Sequence, residues 1–247
     1  MKQISLNDVK KFVSENIGEF HKNRVNRIQN IKLKEVLQKK NPYLFKAKNL
    51  LTAEKLVESI LQAYLSSSEE ELFGEFLENL AIFIASKTLG GKKAHGSGID
   101  LEFERDKVVY LVSIKSGLNW GNSSQYKALR DHFKKAVQIL KQSKSVKAVQ
   151  PVLASCYGKR KTTDNGEYLK ICGQEFWFFI SGNKNLYTDI IEPIGHQAKE
   201  HNQHYEEERA VLINNFTLEF SQNFCVAGRI DWKKLVQFNS GNLKKSK

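Results

Sequence analysis

The architecture of this chain follows from one segment, IDLEFERDKVVYLVSIK (residues 99–115). Polar and apolar side chains alternate over residues 99–104, which is typical of a strand with one face in a core. Residues 108–115 are almost continuously apolar and indicate a more deeply buried strand. Asp106 and Lys107 lie between the two runs as a two-residue turn, so the sequence predicts an antiparallel β-hairpin.

The turn determines which side chains face one another across the hairpin. With Arg105 paired to Val108, Asp100 lies opposite Ser113, and Lys115 shares the face of Ser113. A lysine at the end of an apolar strand needs a carboxylate, a phosphate or water to receive its charge. A carboxylate at Asp100 can hold a hard cation, and Lys115 can orient or activate a water. We therefore predict a site for phosphodiester hydrolysis at the end of this hairpin.

Two helices are predicted before the hairpin. Thr52 can cap a helix that runs to about Ser66, and Ser68 with Glu71 forms a capping-box pattern that opens a second helix. That second helix carries one apolar stripe and is expected to stop at Gly90, the first of two glycines.

The elements predicted after the hairpin complete the fold class. An amphipathic helix follows residue 125, and Ala148–Cys156 is predicted to be a buried strand. A second hairpin is indicated around residues 164–166, a further strand over Glu175–Ser181, and helices over residues 184–224. With a short strand expected before the first hairpin, the order is helix, β-meander, helix, strand, which predicts an α/β (α+β) core with helical N- and C-terminal additions.

The composition limits the possible partners. A chain of 247 residues with 40% apolar residues can bury a core of its own. Its formal net charge of +12 favours polyanions, with nucleic acid ahead of anionic membrane. No signal peptide is recognised, and no run approaches the roughly 20 apolar residues of a membrane span, so we expect a cytoplasmic protein without a membrane role. The three cysteines are widely spaced and are expected to be ordinary thiols.

The positive charge is concentrated near the N-terminus. Residues 1–50 contain twelve Lys and Arg but four Asp and Glu, on segments with helical spacing of apolar residues. Such a run can be a solvated face, but it can also contact phosphates, for which Lys32, Lys34, Lys39 and Lys40 are the candidates. We predict a basic helical region over 1–67, a nuclease-like core over 68–183 and a helical region over 184–247.

The hairpin resembles the catalytic core of a known nuclease superfamily. Gly98-Ile99-Asp100 and Ser113-Ile114-Lys115, separated by a turn, are similar to the Asp...(Asp/Glu)-x-Lys motif of restriction-endonuclease-like nucleases. The order of elements over roughly residues 68–157 is similar as well. The resemblance implies a type II restriction endonuclease that hydrolyses double-stranded DNA with Mg²⁺, and Asp100, Ser113 and Lys115 as its catalytic residues.

Ser113 departs from the motif, where the family usually has Asp or Glu. One carboxylate provides few ligands for a divalent cation, so a second acid is expected to contribute to the metal site. Some family members have Ser-x-Lys with a carboxylate supplied from the following helix, and Asp131 is similarly placed here. Glu75 or Glu71 on the preceding helix and Glu102 on the hairpin are the competing candidates.

Two loops are candidates for DNA contact. The loop and helix start after Lys115 offer polar side chains and one tryptophan, namely Asn119, Trp120, Asn122, Ser123, Ser124 and Gln125. Such side chains can contact base edges or phosphates. Lys159, Arg160 and Lys161 follow the strand that ends at Cys156, and they suit phosphate contact or, for Arg160, recognition of guanine.

Three functions remain open at this point. The first is a sequence-specific restriction endonuclease, which by resemblance would act as a homodimer on a short palindrome. The second is a repair or junction-resolving nuclease on the same core, which would recognise the shape of DNA. The third is a non-catalytic nucleic-acid-binding protein in which Ser113 marks a decayed site.

Overall fold

The computed structural model describes residues 2–142 and 148–242. The helices of this part of the chain are α1 (Leu6–Gln29), α2 (Leu33–Lys39), α3 (Pro42–Ala47), α4 (Ala53–Leu89), α5 (Ser123–Lys141), α6 (Gln174–Ser181), α7 (Leu186–Asp189), α8 (Ile191–Ile194), α9 (Ala198–Phe224) and α10 (Trp232–Ser240). The strands are β1 (Lys92–Lys93), β2 (Leu101–Arg105), β3 (Val108–Lys115), β4 (Ala148–Ser155), β5 (Thr163–Asp164), β6 (Leu169–Cys172), β7 (Cys225–Val226) and β8 (Arg229–Ile230). Among the described residues no helix is long and apolar enough to span a membrane.

The main sheet is mixed. Within the described residues it has six strands in the order β1-β2-β3-β4-β6-β5. Strands β1, β2 and β3 form an antiparallel meander, β3, β4 and β6 run parallel to one another, and β5 returns antiparallel beside β6. The predicted α+β class with helix, meander, helix and strand is confirmed, and the hairpin predicted near residues 164–166 is the β5-β6 pair.

The first hairpin has the predicted register. Arg105 pairs with Val108 across Asp106 and Lys107. Both turn residues have positive φ, 54° and 65°, which is the conformation of a type I′ turn, whose twist matches that of the two strands. Continuing the register places Asp100 opposite Ser113.

The hairpin is covered on both faces. Leu111 faces α5, whose Leu129 and Phe133 are buried in the same apolar cluster. On the opposite face, the rings of Phe103 and Tyr110 contact Phe179 of α6. A central strand covered on both sides explains why β3 is so continuously apolar.

The chain divides into two compact units. One comprises residues 1–18 and 73–196 and contains the six-stranded sheet. The other comprises residues 19–72 and 197–247 and is mainly helical, with a core that includes Val36, Leu56 and Phe220. The three-part division at residues 67 and 183 stays a prediction.

The helix predicted to begin at Ser68 does not begin there. A single helix, α4, runs from Ala53 to Leu89, and Ser68 lies buried within it. Apolar residues recur at helical spacing on both sides of Ser68, so packing favours continuing the helix over capping it. The predicted ends are correct, since Thr52 Oγ1 accepts from the Lys55 N–H at the start and Gly91 N–H donates to Ala85 C=O beyond the end.

The strand predicted over Glu175–Ser181 is wrong, because this segment is the helix α6. A short apolar run fits a strand or a buried helix equally well, so its pattern does not discriminate between them. Gly173, with φ of 55°, lies just before the helix, and the buried residues Phe176, Trp177 and Ile180 then share one helical face.

Candidate active site

Asp100, Ser113 and Lys115 meet at the end of the first hairpin, as predicted. The Ser113 hydroxyl lies 3.4 Å from Asp100 Oδ2, and Lys115 Nζ lies 3.9 Å from the same oxygen. Ser113 is fully buried, whereas the side chains of Asp100 and Lys115 keep 18% and 27% of their surface exposed. A substrate can therefore reach the carboxylate and the ammonium group but not the serine.

Asp100 is held at the point where the β2-β3 ladder ends. Its N–H donates to the Val112 carbonyl at 2.9 Å, and its Oδ2 accepts from the Ile114 N–H at 2.6 Å. The carboxylate thus replaces a backbone carbonyl as the partner of Ile114. All of these side-chain contacts use Oδ2, and within the described residues Oδ1 accepts no hydrogen bond.

Lys115 lies between Asp100 and an aromatic ring. Its Nζ is 5.4 Å from the centre of the Trp120 ring, in a cation-π arrangement. The backbone around it is fixed by the neighbouring parallel strand, because Cys156 N–H donates to the Lys115 carbonyl at 2.9 Å. The ammonium group is thereby held at the exposed end of a rigid strand.

Glu78 of α4 is an acid at this site that was not among the candidate ligands. Its side chain is 25% exposed and lies 3.7 Å from Lys93 Nζ. Burial raises the pKa of the Glu78 carboxyl, and the negative charge of Asp100 raises it further, while Lys93 and Lys115 act in the opposite direction. Two partly buried carboxylates that repel one another are typical of a cation site.

The position of Glu78 follows from the packing of α4. One turn earlier, Gly74 lies so close to Ser116 that an added Cβ would be 3.3 Å from the Ser116 Cβ. This close approach brings α4 alongside the end of β3. The signal in the sequence is the stripe Glu71, Glu75 and Glu78, which points to this helix face without singling out Glu78.

The other candidate acids are exposed on their helices or are paired with a lysine. Asp131 and Glu75 are exposed on their helices, and within the described residues neither forms a hydrogen bond or ion pair with Asp100 or Lys115. Glu102 lies two residues from Asp100 on the hairpin, where it pairs with Lys92 at 3.7 Å.

The two predicted DNA-contacting loops interlock. Gly117 lies against the Tyr157 ring, and Gly158, with φ of 115°, lies against Leu118, so that a Cβ at either glycine would overlap its neighbour. Ser155 Oγ also donates to the Gly117 carbonyl at 3.3 Å. The loop after β3 and the loop after β4 therefore form one surface.

Part of the first loop has a structural role. Asn122 and Gln125 form a capping box at the start of α5, with the Asn122 side chain accepting from the Ser124 and Gln125 N–H groups. Asn119 and Ser123 are exposed, and Trp120 is half-buried. In the second loop Lys159, Arg160 and Lys161 are exposed, and no acid among the described residues pairs with them.

Comparison with known protein families identifies the chain. Residues 7–202 match the sequence profile of the family described as type II restriction endonuclease EcoO109I, and this match covers well over half of the chain, including Glu78 and the hairpin. The protein belongs to the EcoO109I family of type II restriction endonucleases. No curated protein matches the sequence significantly.

Membership in the EcoO109I family decides among the three functions that the sequence left open. The chain is a nuclease of the type II restriction class, whose substrate is DNA. This favours the restriction endonuclease over the repair enzyme and over the non-catalytic binding protein.

Proposed function

We propose that this protein cleaves double-stranded DNA at a specific sequence in a magnesium-dependent reaction at Asp100, Glu78 and Lys115. The observation that carries the proposal is the meeting of a partly exposed carboxylate and ammonium group, 3.9 Å apart, with both charges acting on the half-buried carboxyl of Glu78. Ser113 is assigned to positioning Asp100 through its hydroxyl, because it is buried.

The acids present suit a magnesium ion. The described residues contain no cluster of three or more His, Cys, Asp or Glu that could hold a metal. Mg²⁺ retains several waters and is often held by one or two carboxylates together with substrate phosphate oxygens. Asp100 through Oδ1 and Glu78 would supply those carboxylates.

Each residue then has a defined task in hydrolysis. A bound divalent cation supplies Lewis acidity at the scissile phosphate and favours deprotonation of a water. Lys115 donates hydrogen bonds to the attacking water or to a phosphate oxygen, and its charge stabilises the negative charge that builds up there. Trp120 and the strand hydrogen bonds of β3 hold Lys115 in place for this role.

DNA binding is assigned to the interlocked loops and to the basic helices. Asn119 and Trp120 face the substrate beside Lys115, and Lys159, Arg160 and Lys161 contact phosphates. We also propose that two copies of the chain act together on a two-fold symmetric site, because a symmetric protein matches a palindromic sequence. Light scattering on the purified protein measures that stoichiometry.

Cleavage mapping tests the proposed function. Phage DNA is digested in Mg²⁺ and the ends of the fragments are sequenced. We expect discrete fragments whose ends share one short sequence. Cutting at branched or distorted DNA without a shared sequence would instead support a repair or junction-resolving enzyme, and no cutting in Mg²⁺ or Mn²⁺ would contradict a catalytic role.

The identity of the second acid gives a sharper prediction. Glu78→Gln keeps the shape of the side chain but removes its charge, so we expect the Mg²⁺-dependent cleavage rate to fall by about 100-fold or more, at least the effect of losing a metal-supporting group. Asp100→Asn and Lys115→Ala should abolish cleavage while leaving the fold intact.

Glu75→Gln, Asp131→Asn and Glu102→Gln are matched controls, since each removes one carboxylate that, within the described residues, pairs with neither Asp100 nor Lys115. We expect each to cut within a few-fold of the unmodified protein. A large loss at Asp131 or Glu75 together with full activity of Glu78→Gln would transfer the role of the second ligand to that residue.

A further inference from the structure

A large cavity lies in the unit that contains the candidate active site. Its volume is about 720 Å³, within the range of about 300–1,000 Å³ that is typical of pockets for small organic groups. Its walls are largely apolar and include Phe73, Leu77, Trp177, Tyr187 and Ile190. The metal ligands proposed above do not line this space, whereas the proposed phosphate contacts Lys159, Arg160 and Lys161 do.

The cavity begins next to the candidate active site. Its lining includes Cys156, whose N–H donates to the Lys115 carbonyl, and Leu77, the neighbour of Glu78 on α4. The charges of Glu78 and Asp100 contribute, after burial, to raising the pKa of the Cys156 thiol to about 12. The inner end of the cavity is therefore within electrostatic range of both carboxylates.

The rim of the cavity is basic. Lys159, Arg160 and Lys161 belong to its lining, and all three are exposed to solvent. A strand whose phosphates lie on these cations has its nucleotides beside the opening. Charge complementarity thus favours a DNA strand over an uncharged or cationic partner.

The walls suit a flat aromatic group with hydrogen-bonding edges. The Trp177 ring is fixed by its Nε1, which donates to the Cys156 carbonyl at 2.8 Å, while Tyr187 remains 40% exposed at the opening. Gln174 and Glu175 also line the cavity and carry oxygens that can accept from base N–H groups. Aromatic stacking with a few polar groups at the edges is how proteins hold an unstacked nucleobase.

We propose that this cavity receives one nucleobase turned out of the bound DNA duplex, with the adjacent phosphate on the Lys159–Lys161 loop. The inference rests on the proposed function, because it requires DNA at the Asp100 site. Its consequence is that recognition includes the opening of one base pair in or next to the target sequence.

Binding to weakened duplexes tests this inference. The mapped site is prepared as a series of duplexes in which the partner of one base at a time is replaced by an abasic position, and binding is measured with a chelator present to prevent cleavage. An enzyme that extrudes a base binds more tightly where the pair is already broken. We expect affinity to rise by about tenfold or more at one position, or at two symmetric ones.

Variants of Tyr187 test whether the gain in affinity for weakened duplexes depends on the cavity. Tyr187→Ala removes an exposed wall and should lose most of the gain, whereas Tyr187→Phe should retain it because the ring remains. Phe178→Ala is the matched control, since Phe178 is an aromatic residue of the same unit that is 42% exposed and does not line the cavity.

Three results would overturn the inference. The first is an equal affinity for all duplexes of the series, and the second is a Tyr187→Ala variant that keeps the full gain in affinity. The third is a Tyr187→Ala variant in which only the mass of the protein in solution changes, which would assign the cavity to a second copy of the chain. Site-specific cleavage by the unmodified protein is measured in parallel. If the protein cleaves at its site but shows no gain in affinity for any weakened duplex, only the proposal for the cavity fails. If the protein does not cleave, both this proposal and the proposed function fail.

Discussion

At the scale of single residues, the turn at Asp106 and Lys107 sets the register that brings together the residues of the candidate active site. Both residues have φ near 60°, a conformation that costs a residue with a Cβ roughly 1 kcal/mol relative to glycine. The turn is nevertheless essential, because a slip of one residue in the hairpin register would move Ser113 and Lys115 to the opposite face from Asp100. The position of Asp100 opposite Ser113 therefore depends on a turn in which neither residue is glycine, the residue that adopts positive φ at the lowest cost.

Relieving this conformation should stabilise the protein. We expect Lys107→Gly to raise the free energy of unfolding by about 0.5–1 kcal/mol, since glycine adopts positive φ without steric cost. Urea unfolding followed by circular dichroism measures the change. The control is Lys135→Gly on the exposed side of α5, which should lower the free energy of unfolding by about 1 kcal/mol because the backbone there is helical. Destabilisation at residue 107 would contradict the assigned turn.

At the scale of elements, α1 and α9 meet through two stacked imidazoles in the helical unit. The rings of His21 and His201 are 4.4 Å apart, and His21 Nδ1 is buried with no hydrogen-bond partner among the described residues. Burial, and then the positive charges of His201 and Arg24, lower the pKa of His21 to about 4. Arg24 itself is held by Glu69 at 2.8 Å and lies over the Tyr205 ring.

This arrangement makes stability depend on pH. The lowered pKa means that the folded protein favours neutral His21, so its contribution to stability is complete above pH 6.5 and is lost as the pH falls from about 6.5 towards about 4. We expect His21→Phe, which retains a ring but cannot titrate, to reduce the loss of unfolding free energy between pH 7.5 and pH 5. His95→Gln, at an exposed histidine, should leave that loss unchanged, and an equal effect of both variants would exclude His21 as its source.

At the scale of the whole molecule, the net charge is +12, but the lysines that contribute to it do not all have the same role. Lys32 and Lys34 are exposed at the start of α2 and are available to phosphates. Lys40 donates to the Ala63 carbonyl at 2.7 Å, and Lys39 lies 5.7 Å from the centre of the Tyr64 ring. The latter pair therefore also supports the fold of the helical unit.

This difference predicts how salt affects DNA binding. Replacing Lys32 and Lys34 together by Gln should reduce the slope of log affinity against log salt by about 1–2, equally for target and random DNA, because each phosphate contact contributes about 0.9. Replacement of both by Arg keeps the charge and should keep the slope. If the Gln variant binds with an unchanged slope, these lysines lie outside the interface.

Local patterns in the sequence were sufficient for the hairpin and for the ends of α4. Alternation of polar and apolar residues, a two-residue turn and paired glycines act over a few neighbouring positions, so the meeting of Asp100 with Ser113 and Lys115 was predictable. The same patterns were ambiguous at Ser68 and at residues 175–181. There a capping motif and an aromatic run each fit two structures, and packing selected the continuous helix and the helix α6.

What the sequence alone determined is the hairpin that brings Asp100, Ser113 and Lys115 together, and what only the tertiary structure decided is which acid of α4 acts on Asp100. Glu78 is one of three acids on a helical stripe, and the sequence does not say which of them approaches Asp100. The choice depends on how α4 lies along the end of β3, where Gly74 allows close contact with Ser116. A charge acts through space, so the partner of Asp100 is determined by the distance between elements and not by their separation along the chain.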